Sequence, residues 1–235
     1  MKLYINGDSH SAAAEAVNNH AFAEDDGEYF QLGRAPHPDN KRVSWGRKLA
    51  DILKFGLFLD AESASSNTRI IRTTNDWLST QKNLDELLVI IQWSTWERQE
   101  WLIDNQYFQV NASGIDHVPQ SHQQQYKEFI VDIDWDKCTK LAHQEIYDFH
   151  VELKDKGIKH IFFNGNTSFA AIPISDQKEW GTSYMSPYTN EGTFNDVLTS
   201  AGFDTVSPIS YHFGKESHSF FAKHMLQYII SNKMV

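Results

Sequence analysis

Residues 1–17 read MKLYINGDSHSAAAEAV. Lys2, Leu3, Tyr4, Ile5 and Asn6 make a short β-rich run, Gly7, Asp8, Ser9 and His10 make a turn, and an alanine-rich stretch over 11–18 follows with helical character. A strand that passes through a tight turn into a helix is the repeating unit of a parallel α/β sheet, and here it leaves a serine at the turn. Four more runs are apolar on nearly every position, at 57–61, 87–92, 159–164 and, more weakly, 205–210. Such runs suit strands buried on both faces of a parallel sheet.

Helical patterns fill the intervals. Residues 44–53 carry Trp45, Leu49, Ile52 and Leu53 at helical spacing, and 67–78 begins at Asn67, a candidate cap. Residues 139–156 place Leu141, Ile146, Phe149 and Leu153 on one stripe and stop at Gly157. Helices over 193–201, ending at Gly202, and over 215–232 close the chain. The alternation predicts an α/β fold: a three-layer α/β/α sandwich with a mostly parallel, flavodoxin-like sheet of about five strands. Sites in such sheets gather at the carboxyl ends of the strands. Stretches 24–40 and 105–136 break the pattern and read as insertions in a single domain over 1–235.

The formal charge of −10 argues against a nucleic acid or an anionic membrane as main partner, because phosphates favour clustered Lys and Arg. Arg69, Arg72 and Arg98 are the candidates for a local basic patch. Cys138 is the only cysteine, so no internal disulfide forms. No basic segment followed by an apolar run opens the chain, and runs such as LLVII are too short to span a bilayer. The expectation is a soluble, cytoplasmic protein of undetermined oligomeric state.

Ser9 needs a base to become a nucleophile, usually a histidine, and amide donors for the developing oxyanion. A Gly-Asp-Ser triplet alone is also common in surface turns. The C-terminal stretch SYHFGKESHSFFAKHML adds His212 and His218, six residues apart, ahead of an amphipathic helix.

The order Gly7-Asp8-Ser9 near one end, and His212, His218 and Ala222 near the other, resembles the SGNH/GDSL hydrolases. Ser44-Trp45 with Leu49-Ala50, and Ala61, Ala64 and Ser66 after the second strand, resemble that family's intervening blocks. Alanine stands at 64 where the family has glycine. The phrase SSNTRIIRTT resembles Ser-Ser-Asn-x-Arg-Ile variants in SGNH-like proteins, some of them phage-encoded. The resemblance implies Ser9 as nucleophile and His212 as base, with the Ser9 and Ala64 amides at the oxyanion. Two departures accompany it. The Gly-x-Asn-Asp block is replaced by Ser94, Thr95, Trp96 and Glu97, so Asn67, Thr95 or Trp96 would have to supply the missing donor. The aspartate three residues before the histidine is replaced by Ile209, leaving Asp204 or Glu216 to orient His212. Asp8, His10, Trp93, Arg98, Asn164 and Asn166 are the candidate pocket residues. The implied substrate is a small ester or an O-acylated carbohydrate, with no cofactor and no metal.

Other readings stay open. A non-catalytic SGNH-like binding or virion-assembly module is one. Asp8-Ser9-His10 also has the Asp-x-His form of a metallophosphoesterase, but of the further elements only Gly165-Asn166-Thr167 is present. His143 and His150 lie two helical turns apart without a ligand set and read as packing or surface residues. Trp93, Trp96 and Trp101 are as well suited to a core as to a pocket. Glu97 and Arg98 are expected to pair with each other or with Arg69 and Arg72. Asn164-Gly165-Asn166 reads most simply as a turn.

Overall fold

The computed structural model describes residues 1–17, 34–112, 114 and 118–235. Strands β1 (Lys2–Asn6), β2 (Gly56–Leu59), β3 (Leu87–Trp93) and β6 (Lys159–Asn164) form one parallel sheet in the order β2-β1-β3-β6. β3 is buried along its whole length, as its unbroken apolar run requires, whereas β2 is an edge strand with Phe58 exposed.

Side chains alternate across the sheet and feed two cores. Leu3, Ile5, Leu88, Ile90, Ile161 and Phe163 face helices α3 (Trp45–Leu53), α7 (Phe194–Ser200) and α8 (Lys215–Ser231). Tyr4, Val89, Ile91, Trp93 and Phe162 face α4 (Asn67–Ser79) and α6 (Trp135–Asp155). The arrangement is α/β with helices on both faces of the sheet. α1 (Ser9–Ala12) is a single turn that stops at Ala13 in the left-handed region, much shorter than the alanine content suggests. No helix among the described residues is long and apolar enough to cross a membrane.

Among the described residues, four strands form the sheet rather than five. Residues 205–210 instead make a loop in which only Thr205 bridges Phe213, while Ile209 is 93% exposed. With Val206 and Ile209 as its only apolar residues besides Pro208, which lacks an N–H, this run cannot join a buried sheet. Ser66, not Asn67, caps α4, its hydroxyl accepting the Arg69 N–H. On α6 the buried stripe is Ala142, Ile146, Phe149 and Leu153, with His143 and His150; Leu141 is exposed, because 4-3-4 spacing selects 142 over 141.

Of the two expected insertions, 24–33 lies outside the described residues, and 38–43 forms α2 (Pro38–Val43). The second contains structure of its own. β4 (Gln99–Ile103) and β5 (Gln106–Val110) pair as an antiparallel hairpin, and α5 (Gln123–Val131) packs Tyr126 against Val110 and Val118.

Candidate active site

Ser9 begins α1 at the carboxyl end of β1, and three contacts shape that turn. The Asp8 carboxylate caps α1 by accepting the His10 N–H at 3.0 Å. Gln92, on neighbouring β3, accepts the Asp8 and Ser11 N–H groups at 3.3 and 3.2 Å through one oxygen. A Cβ at Gly7 would stand 2.9 Å from both Gln92 Oε1 and Ser11 Oγ, so this close approach needs glycine.

The last loop folds back to meet the turn. Val206 N–H donates to the His212 carbonyl at 2.9 Å, and His212 N–H donates to Ser210 Oγ at 3.0 Å. His212 Nδ1 bonds Glu15 Oε2, which also accepts the Ser210 hydroxyl at 2.6 Å. The His212 hydrogen bond, aided by Ser210 and opposed by burial, holds the Glu15 carboxyl below its ordinary value. The acid on His212 is therefore Glu15, not Asp204 or Glu216. Asp204 is exposed and Glu216 pairs with Lys215, because the loop turns His212 towards the residues following α1 rather than back along itself.

Ser9, His10, Ala64, Arg98, Asn166 and His212 line one cleft of about 320 Å³. No hydrogen bond among the described residues joins Ser9 to His212. The His212 ring packs edge-on against that of His10, with centroids 5.5 Å apart. Burial pushes the His10 imidazole down to about 4, against the opposing pull of Asp8, so it is neutral near pH 7. The Ser9 and Ala64 amides enter no hydrogen bond among the described residues. Ala64 has φ of 63°, the left-handed conformation for which glycine is the usual residue.

Several expected pocket residues are engaged elsewhere. Asn67 Oδ1 accepts the Ser94 N–H at 2.9 Å and its Nδ2 donates to the Ser94 carbonyl at 3.4 Å, so its amide is spent on pinning the end of β3. The Thr95 hydroxyl donates to Glu97 Oε1 at 3.0 Å. Trp96 stacks on Phe169 with centroids 4.5 Å apart and lines a separate cavity of about 290 Å³. Trp93 is fully buried against Phe149 and Phe162, and buried Asn164 accepts the Tyr184 hydroxyl. His218 is also buried, its Nδ1 accepting the Trp45 N–H at 3.3 Å.

Asp8 Oδ2 accepts from Ser94 Oγ at 2.9 Å and Arg98 Nη1 at 3.2 Å. Burial works to raise the Asp8 carboxyl; the neighbouring His10 imidazole, the Arg98 guanidinium and the His10 amide outweigh it and hold the group low. A guanidinium thus occupies the carboxylate that the metallophosphoesterase reading would give to a metal, and no group of three or more His, Cys, Asp or Glu among the described residues is placed to hold one. Arg69 and Arg72 form no patch with Arg98: they pair with Glu62 at 2.7 Å and Glu100 at 2.7 Å.

Glu15, Gln92, Glu97 and Tyr211 at this site were not foreseen as site residues. Glu15 follows the Gly-Asp-Ser triplet closely, which was the one available signal, but a glutamate after an alanine run looks like any solvated helix residue.

Comparison with curated proteins gives no match. Among solved structures, the chain is similar to a G-D-S-L family protein from Desulfitobacterium hafniense, at 12% identity and a TM-score of 0.37 over 97% of this chain and 98% of that one. It is similar to the psychrotrophic esterase EstA from a Pseudoalteromonas species, at 12% identity and a TM-score of 0.44 over 98% of this chain and 97% of that one. It is also similar to the acetyl xylan esterase Est2A from the rumen bacterium Butyrivibrio proteoclasticus, at 14% identity and a TM-score of 0.44; there the alignment covers 98% of this chain and 63% of the esterase. Residues 26–153, more than half of the sequence, match the family of unknown function DUF6071, and the chain belongs to that family.

Proposed function

We propose that the protein is a serine ester hydrolase of SGNH type, acting on a small ester or an O-acylated carbohydrate. The reading is carried by one observation: Ser9 and His212, from opposite ends of the chain, line the same cleft, with Glu15 on His212 Nδ1. Glu15 keeps the Nδ1 proton, which leaves Nε2 as the acceptor for the Ser9 proton. Ser9 Oγ bonds to the carbonyl carbon, the carbonyl oxygen takes the negative charge, and the Ser9 and Ala64 amides are its donors. The carbon–oxygen bond to the leaving group then breaks as His212 hands that oxygen its proton. Water, deprotonated by the same imidazole, releases the acid from Ser9.

Hydrolysis of a short-chain aryl ester by the wild type, Ser9→Ala and His212→Ala, with and without chelator, is the test. A fall of at least about 10³-fold in kcat in both variants, insensitive to chelator, is expected. The missing Ser9–His212 hydrogen bond favours a second reading, a non-catalytic binding module. Equal background rates in all three proteins would select it. Hydrogen bonds of this kind are often long before substrate is bound, which keeps the hydrolase ahead.

A further inference from the structure

Glu97 is more than nine-tenths buried and lines the Ser9–His212 cleft. The three arginines expected to pair with it have other carboxylate partners: Arg69 pairs with Glu62, Arg72 with Glu100 and Arg98 with Asp8. Glu97 Oε1 accepts the Thr95 hydroxyl, and Oε2 has no partner among the described residues. Asp8 is matched by Arg98, and Glu15 shares a hydrogen bond with His212. Glu97 is left over. A buried carboxylate without a counter-charge is costly, and burial is tolerated when a cation or a set of donors completes it. A neutral hydroxyl would hydrogen-bond this carboxylate without cancelling its charge, whereas an ammonium group would do both. Tyr211 lines the same cleft and is 73% exposed, so it offers an aromatic ring to a cation held there. The net charge of −10 further enriches cations around the molecule.

We propose that the substrate's leaving group carries a positive charge, as in an ester of an amino alcohol or an amino sugar, and that Glu97 and Tyr211 hold that charge. The inference rests on the ester-hydrolase reading: Ser9 takes the acyl group, and the alkoxide that receives the His212 proton belongs to the cationic alcohol. Two matched pairs of esters test it. Acetylcholine is compared with 3,3-dimethylbutyl acetate, which has carbon in place of the charged nitrogen, and 6-O-acetylglucosamine with 6-O-acetylglucose. The wild type is expected to favour the cation in one pair by about tenfold or more in kcat/KM, mainly through KM. The pair with the larger ratio identifies the carrier. The ratio should approach one in Glu97→Gln, recover in part in Glu97→Asp and fall in Tyr211→Ala. A wild-type ratio near one in both pairs, or a ratio undiminished in Glu97→Gln, overturns the proposal. If the wild type cleaves none of the four esters, the aryl-ester assay judges the hydrolase reading separately. Calorimetric titration with tetramethylammonium then decides the cation site: binding lost in Glu97→Gln supports it, and absent or unaltered binding overturns it.

Discussion

Glu15 and His212 are 197 residues apart in sequence and share a hydrogen bond, while Ser210 accepts from one and donates to the other. Removing the charge but keeping the shape separates orientation from packing. Glu15→Gln is expected to lower kcat on an aryl ester by about 10²–10⁴-fold, the range for losing the acid of such a triad. Its Tm should fall only modestly, since the neutral amide still has an oxygen to accept from His212 and Ser210, so kinetics and thermal melting on the same preparation check both statements. Ala64 presents a balance of opposite terms. Glycine would relieve about 1–2 kcal/mol of left-handed strain at φ of 63° but restore about 0.4–1 kcal/mol of freedom to the unfolded chain. Ala64→Gly should therefore be neutral to slightly stabilising in urea unfolding, by no more than about 1.6 kcal/mol. A clear loss of stability would mean that the alanine methyl contributes packing beyond this balance.

Among the elements, β3 does more than fill the core. Its Gln92 reaches sideways to the start of α1 and takes two amide protons there, while Asn67 at the start of α4 clamps Ser94 just beyond the strand. The turn that carries Ser9 is thus fastened to its neighbouring strand through side chains. Gln92→Leu keeps the volume and leaves two buried N–H groups without an acceptor, at a cost of about 2 kcal/mol or more. The urea midpoint should fall accordingly, and ester turnover should fall further than stability explains, because the turn that carries Ser9 loosens. The strands over 2–6 and 159–164 were legible to the residue, since continuous apolar runs bounded by glycine or polar residues need no distant information. The run at 205–210 misled, because a weak run is read as a strand only if the sheet has room for it.

At the scale of the molecule, burial holds three imidazoles neutral: His10 and His160 are pushed down to about 4 and His218 to about 3, from an ordinary value of 6.5. His160 donates from Nδ1 to the Ile158 carbonyl at 2.8 Å, so its Nε2 accepts from His150 Nδ1 at 2.8 Å, and protonation would set donor against donor. The unfolded chain binds protons that the folded one refuses, so stability is full above pH 6.5 and is lost as pH falls towards 4 and then 3. With each pH unit worth about 1.4 kcal/mol per group, the loss is on the order of 6 kcal/mol by pH 5. Urea midpoints at pH 7.5, 6 and 5 should drop steadily; a flat series would show that these rings gain water or a partner before they gain a proton.

The sequence alone determined the order of the main strands and helices, the parallel character of the sheet and the position of a serine at the first strand-to-helix turn. Those features depend on residues adjacent in the chain, through apolar runs, helical spacing and stop signals. Tertiary structure decided the rest: that Glu15 rather than Asp204 or Glu216 meets His212, that Asn67 and Trp96 turn away from the cleft, and that Arg98 goes to Asp8 and leaves Glu97 without a counter-charge among the described residues. Each of these is a choice among partners of similar chemistry, and it is settled by which groups the folded sheet brings within hydrogen-bonding distance, a quantity that no local pattern records.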